Sequence, residues 1–227
     1  MSTNPLPCPY IVDVCGTLVR DDTTLGLLRH HFARMGQRRM RLYILTVLTA
    51  KASPLRIACI VLEKLLGRHL LKHLLVSMLA GDRDVDLDIS AIEYAKYLVE
   101  HRRVANVWEK LCVTSRHEQI ILASASLEPV VKALAKEIKS RYVSSTLESR
   151  NGTLTGRYQE DLTGNKVEGI SKKYGPEVLT GSYIAFSDNL TDFNLLRQAS
   201  KAYVILHQSN HRKRWCNLNA EFVSLDE

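Results

Sequence analysis

Hydrophobic residues follow two rhythms along this chain. Short runs that are apolar on both faces, "YIVDV" at Tyr10 to Val14, "EQIILASAS" at 118–126, "SYIAFS" at 182–187 and "KAYVIL" at 201–206, read as strands covered on both sides, as in a parallel sheet between helices. Helical patterns fill the intervals. "EPVVKALAKEIKSRY" reads as a helix with Glu128 and Pro129 suited to its first turn, another helix begins near Lys166, and a third follows "FSDNLTDFNLL". In "VSSTLESRNGTLTGRY" two extended stretches flank Asn151-Gly152, a favourable tight-turn pair. From Leu25 to about Leu79 long apolar stretches carry basic residues and are broken by Pro54 and Gly67, which predicts two or three helices. The more polar "ISAIEYAKYLVEHRRVANVWEKLCVTSR" continues as helix. The alternation predicts an open, mostly parallel α/β sheet. Residues 1–24 and 117–227 are expected to form its core and residues 25–116 a helical cap.

Composition changes this picture little. At 227 residues and 45% apolar content the chain can fill a real core. The five cysteines, Cys8, Cys15, Cys59, Cys112 and Cys216, are odd in number and form no close pairs, and no signal-like order opens the chain, so reduced thiols and a cytoplasmic setting are expected. Charge is more informative. Of the net +7, the segment from Arg29 to Lys72 contributes ten Lys or Arg against Glu63, or +9, which leaves −2 for the rest. A basic balance confined to one region, without zinc-finger spacing or a paired RNA-binding sheet motif, argues against nucleic acid. His207 and His211 beside Cys216 lack a fourth ligand for zinc and read as a surface strand edge and tail.

Ligands of open parallel sheets sit beyond the carboxyl ends of the strands. Four places deliver polar groups there: Asp13, Ser124 with Ser126, Lys166, and Asp188 with Asp192. Gathered around one cavity they make a carboxylate cluster with a hydroxyl and an ammonium. Acids that close repel, and a hard cation such as Mg2+ relieves the repulsion through oxygen coordination. The set suits phosphoryl transfer, with an aspartate attacking phosphorus and the N–H groups of the turn "CGT", at Gly16 and Thr17, holding the phosphoryl group.

These residues resemble the haloacid dehalogenase-like hydrolase superfamily, most closely its phosphoserine-phosphatase-like branch. "DVCGTL" matches the first motif, "ILASAS" the second, Lys166 the third and "FSDNLTD" the fourth. The resemblance implies Asp13 as the nucleophile and Mg2+ held by Asp13, Asp188 and the main-chain carbonyl of Cys15, with Asp192 supporting the metal site. It also implies that Ser124, Ala125 and Lys166 contact the phosphoryl group. Asn189 stands where many relatives have a small residue, and Ser187 replaces a usual glycine, a change that needs a negative φ. The main departure is Cys15, where most such phosphatases have a general acid/base aspartate. Three readings stay open: a phosphatase with another acid, such as Asp21, Asp22 or a substrate group; a phosphotransferase or stalled phosphoenzyme; or a protein that only binds phosphate and metal.

The expected cap sets the substrate. "RRMRLYILTVLTA" and "SPLRIACIVLEKLLGRHLLKHLLVSML" join large apolar surface to almost exclusively positive charge, so either a self-packed cap or peripheral contact with anionic lipid is expected. A loose similarity to phosphatidylglycerophosphatase-type members points toward a phospholipid-like substrate. A small phosphorylated metabolite instead asks for polar groups such as Glu93, Glu100 and Arg102. Oligomeric state has no sequence signal.

Overall fold

Parallel strands with apolar residues on both faces need helices on both sides, and the computed structural model has that arrangement. It describes residues 8–36, 39–50, 53–54, 56–57, 69–114, 119–180 and 182–225. After β1 (Tyr10–Val12) come α1 (Thr23–Arg34), α2 (Arg39–Thr49), α3 (Leu70–Ser77), α4 (Asp84–His101) and α5 (Ala105–Thr114). Next are β2 (Ile120–Leu127), α6 (Glu128–Glu137) and the hairpin β3 (Arg141–Arg150) and β4 (Thr153–Glu160). The chain continues through α7 (Lys166–Tyr174), α8 (Glu177–Thr180), β5 (Ile184–Ser187), α9 (Phe193–Gln198), β6 (Lys201–Leu206) and β7 (Glu221–Ser224). The seven strands lie in the order β4-β3-β2-β1-β5-β6-β7. Only β3 and β4 pair antiparallel, through Asn151 and Gly152, whose φ of 52° and 75° supply the tight turn.

The period of two along each strand sorts its side chains into two cores. Tyr10, Val12, Leu122 and Phe186 face one way and pack with Leu28, Leu87, Tyr94 and Leu98 of α1 and α4. Ile11, Ile121, Ala123 and Ala185 face the other way, toward Ile170 of α7, Leu196 of α9 and Trp215. The helices inserted between β1 and β2 thus share a hydrophobic core with one face of the sheet. A polar knot helps to join them: buried His31 of α1 bonds Ser90 of α4 at 2.9 Å and Asp82 at 3.1 Å, and Arg41 of α2 bonds Asp82 at 3.0 Å.

Two local expectations change. The helical stretch after residue 89 breaks at residues 102–104, where the N–H of Val104 instead reaches the carbonyl of Leu18. The helix after Glu128 stops at Glu137, because Arg141 and Tyr142 are needed to pair with β2. After the strand "KAYVIL" a further strand without a sequence expectation, β7, adds beside it as a parallel edge. Most of the second basic stretch, residues 51–52, 55 and 58–68, lies outside the described residues. Among the described residues no helix is long and apolar enough to cross a membrane.

Candidate active site

The carboxyl ends of β1, β2 and β5 open onto a cavity of about 710 Å³. β1 delivers Asp13 there and turns at once: Gly16 at φ 72° lets the chain fold back, with its N–H on the carbonyl of Val19 at 2.9 Å. Bulk forbids a side chain at Gly16 as well. A Cβ would sit 2.2 Å from Asp188 Oδ2 and 2.8 Å from His207 Nε2.

Lys166, the first residue of α7, is buried, and its ammonium lies 2.7 Å from Asp13 Oδ1 and 2.6 Å from Asp192 Oδ2. Asp13 Oδ1 also takes the N–H of Val14 at 2.8 Å. Both bonds fall on one oxygen, and Oδ2 has no protein partner among the described residues. Burial pushes the Asp13 carboxyl up to about 7, with Lys166 pulling it down and Asp192 and Asp188 pushing it further up. Burial acts to lower Lys166, but Asp13 and Asp192 outweigh it and hold the ammonium well above its ordinary value. The lysine is therefore held in its charged form.

Asp188 is held by two residues distant in sequence: Thr17 donates to Oδ1 at 3.1 Å, and His207 Nε2 lies 2.7 Å from Oδ2. Ser187 donates to Asp192 at 2.7 Å and takes the N–H of Asn189 at 3.1 Å, and it is not among the residues with positive φ. Asn189 itself accepts the N–H of Thr191 at 3.0 Å. Ser124 and Ala125 line the cavity, and Ser124 donates to Ser126 at 3.0 Å. Cys15 Sγ lies 2.9 Å from Thr23 Oγ1 and 3.0 Å from Ser126 Oγ. Desolvation, with Asp22 and Asp13 adding to it, pushes the Cys15 thiol up to about 11 against the bonds from Ser126 and Thr23. It is a neutral thiol at pH 7.

Several expected site residues make contacts of other kinds. The N–H groups of Gly16 and Thr17 meet the carbonyls of Val19 and Val14 within the turn, at 2.9 and 3.4 Å, and Gly16 lines the cavity. The Thr17 side chain is fully buried and serves Asp188. Asp192 stands behind Lys166, its Oδ2 taken by that ammonium and by Ser187, and does not line the cavity. Glu93, Glu100 and Arg102 are also absent from the cavity wall: Glu93 pairs with His30 and Arg34, Glu100 with His101, and Arg102 with the carbonyl of Arg20. Arg20, His69, Leu71, Lys72 and Leu75 face that side instead. Asp21 and Asp22 do line it, Asp21 accepting from Tyr94 at 2.8 Å and Asp22 capping α1 through the N–H of Leu25 at 3.0 Å. His207 and Thr23 were not anticipated as site residues. His207 directly follows β6, a strand whose carboxyl end opens on the same side as β1, and that position was the available signal.

Among the described residues no three His, Cys, Asp or Glu side chains gather as a metal cluster. The oxygen donors at the cavity are the carboxylates of Asp13 and Asp188 and main-chain carbonyls. That set fits magnesium, which usually takes one or two carboxylates and keeps several waters.

A cavity at the carboxyl end of a parallel sheet, lined by Asp13, Asp188 and the buried Lys166 that joins Asp13 to Asp192, is an arrangement found in a class of α/β hydrolases. The family described as haloacid dehalogenase-like hydrolase matches residues 11–197, and the chain belongs to it. Among solved structures, it is similar to a protein of unknown function from Bordetella pertussis Tohama I, with 16% identity, 96% of this chain and 98% of that one covered, and a TM-score of 0.66. A phosphoserine phosphohydrolase-like protein from Francisella tularensis subsp. tularensis SCHU S4 is 14% identical over 96% and 95%, with a TM-score of 0.57. A phosphoserine phosphatase in its apo form is 13% identical over 95% and 94%, with a TM-score of 0.55. Among curated proteins no match is found.

Proposed function

We propose that this chain is a magnesium-dependent phosphomonoester hydrolase that works through an aspartyl phosphate on Asp13, in the manner of the phosphoserine-phosphatase-like branch. The observation that carries the reading is the buried Lys166 ammonium bound to Oδ1 of Asp13, which leaves Oδ2 as the nucleophile at the cavity. Oδ2 attacks phosphorus as the bond to the leaving oxygen breaks, and water later displaces the carboxylate to release phosphate. Lys166 offsets negative charge on Asp13 and the transferred group through both steps. Asp13, Asp188 and the carbonyl of Cys15 would hold magnesium, which when bound neutralises phosphoryl oxygens. Thr17 and His207 keep Asp188 oriented for that duty.

The Cys15 thiol, pushed up to about 11, is a poor acid and stays protonated, so a good leaving group departs without its help, water finds no base there, and breakdown of the aspartyl phosphate is the slow step. The substrate is an amphiphilic phosphate. Leu71 and Leu75 offer its leaving group apolar surface, beside Arg20, His69 and Lys72. Helix α2 favours working at a lipid surface, because Met40 and Tyr43 are 70% and 67% exposed on a helix without acidic residues.

The test is a burst experiment on a panel of phosphomonoesters, with beryllofluoride as a mimic of the phosphorylated aspartate. A burst followed by slow turnover is expected, absent in Asp13→Asn and with a faster second phase in Cys15→Asp. A wild-type protein that binds beryllofluoride but turns over nothing, with activity appearing only in Cys15→Asp, refutes catalysis and supports a protein that only binds phosphate and metal.

A further inference from the structure

Lys72, in the first turn of α3, lines the cavity but points its ammonium at the loop that precedes Lys166. Its Nζ lies 2.6 Å from Asp161 Oδ1 and 2.5 Å from Thr163 Oγ1, and 4.9 Å from the centre of the Tyr158 ring. Asp161 Oδ1 also takes the N–H of Thr163 at 3.0 Å and its hydroxyl at 2.7 Å. One residue on, the N–H of Leu162 donates to the fully buried Ser145 at 3.0 Å, and the Ser145 hydroxyl donates to the carbonyl of Ala125 at 2.9 Å. An unbroken path thus runs from the inserted helix α3, through residues 161–163 and Ser145, to Ala125 near the carboxyl end of β2. Its middle segment leads within three residues of Thr163 to Lys166, and its far end is Ala125, next to Ser124.

We infer that Lys72 is a positioning residue, which fixes the loop carrying Lys166 and couples it to the helix that contacts the substrate's leaving group. The inference rests on the phosphatase reading above and extends it to the way the site senses its substrate. Leu71 and Leu75 lie on the same helix and line the same cavity. Whatever presses on them shifts Lys72, and with it the hydrogen-bonded turn at Asp161. The ion pair is sheltered, with side chains 20% and 23% exposed, so it is screened less than a surface pair. Burial alone would raise Asp161, but hydrogen bonds from Lys72 and Thr163 outweigh it and hold the carboxyl below its ordinary range. Displacement of a catalytic group by about 1 Å can cost on the order of 100-fold in rate, so a small slackening of this loop is enough to matter.

The test compares the full chain with Lys72→Met, which keeps the stem over Tyr158 but removes the charge, and with Lys72→Arg, which restores it. Amide hydrogen exchange at Leu162 and Thr163 is expected to rise roughly tenfold in Lys72→Met and to recover in Lys72→Arg. With para-nitrophenyl phosphate and magnesium, kcat is expected to fall about 10- to 100-fold with KM little changed, and again to recover in Lys72→Arg. Unchanged exchange at both amides overturns the inference. So does raised exchange with an unchanged kcat, or a loss of activity that only tracks a lower thermal midpoint. Asp13→Asn in parallel keeps the two readings apart. If it turns over the probe as well as wild type, or wild type turns over nothing, the phosphatase reading falls and the exchange arm alone decides whether Lys72 couples helix to loop.

Discussion

Asp13 should weaken the fold it serves. Its carboxyl is buried, and its value moves from 3.8 to about 7 in the folded protein, although Lys166 stands 2.7 Å away. Between those two pH values the folded chain holds a proton that the unfolded chain has lost, so stability falls as pH rises from about 4 to about 7 and is level above that. The displacement corresponds to about 4 kcal/mol, a ceiling for the penalty in metal-free protein. Asp13→Asn removes the charge and keeps the shape, and its amide oxygen can still accept from Lys166. Part of the gain is offset by a weaker bond to that ammonium, which keeps Asp192 as its partner, so a net stabilisation of about 1–3 kcal/mol is expected at pH 8. The assay is urea unfolding of both proteins in a chelator at pH 4.5, 6 and 8, with the difference growing from near zero to its full value. Added magnesium should then raise the stability of wild type more than that of the variant, by mass action on the folded state. A variant less stable than wild type at pH 8, or a difference that does not change with pH, would refute the account of Asp13 as a strained buried carboxylate.

Three further outcomes follow from the site. Gly16→Ala forces a side chain to φ 72° and to 2.2 Å from Asp188 Oδ2, so the variant should lose magnesium-dependent activity and about 1–3 kcal/mol of stability, read by turnover and thermal melting. His207→Ala frees Asp188 Oδ2 from its 2.7 Å partner and should weaken magnesium activation about 10-fold, measured as the metal concentration for half-maximal rate; unchanged activation would remove His207 from the site. Replacing both Met40 and Tyr43 with serine should abolish pelleting with anionic vesicles and leave turnover of a soluble phosphate ester intact, because both side chains are exposed and neither lines the cavity.

Much of this protein is written locally. Apolar runs at 10–14, 183–187 and 201–206, too short for helices of their own and apolar on both faces, suit strands between two helical layers, which is the sheet observed. Asn151-Gly152 prescribes its own turn, and Asp13, Lys166 and Asp188 each follow or open an element, with Ser124 inside the last half of β2, at the end where a parallel sheet collects its loops. What stayed hidden is the pairing among those loops. Thr17 meets Asp188 across 171 residues, Cys15 meets Ser126 across 111, and Lys72 meets Asp161 across 89. Nothing in the neighbourhood of either partner records such a contact, because a hydroxyl or an ammonium is equally well satisfied by water until packing excludes it. Packing likewise decided that Asp192 neutralises Lys166 instead of facing the cavity, and that His207 closes over Asp188. Chain periodicity determines which faces are buried. Only the closed structure determines which polar groups are left without water, and these must then find one another.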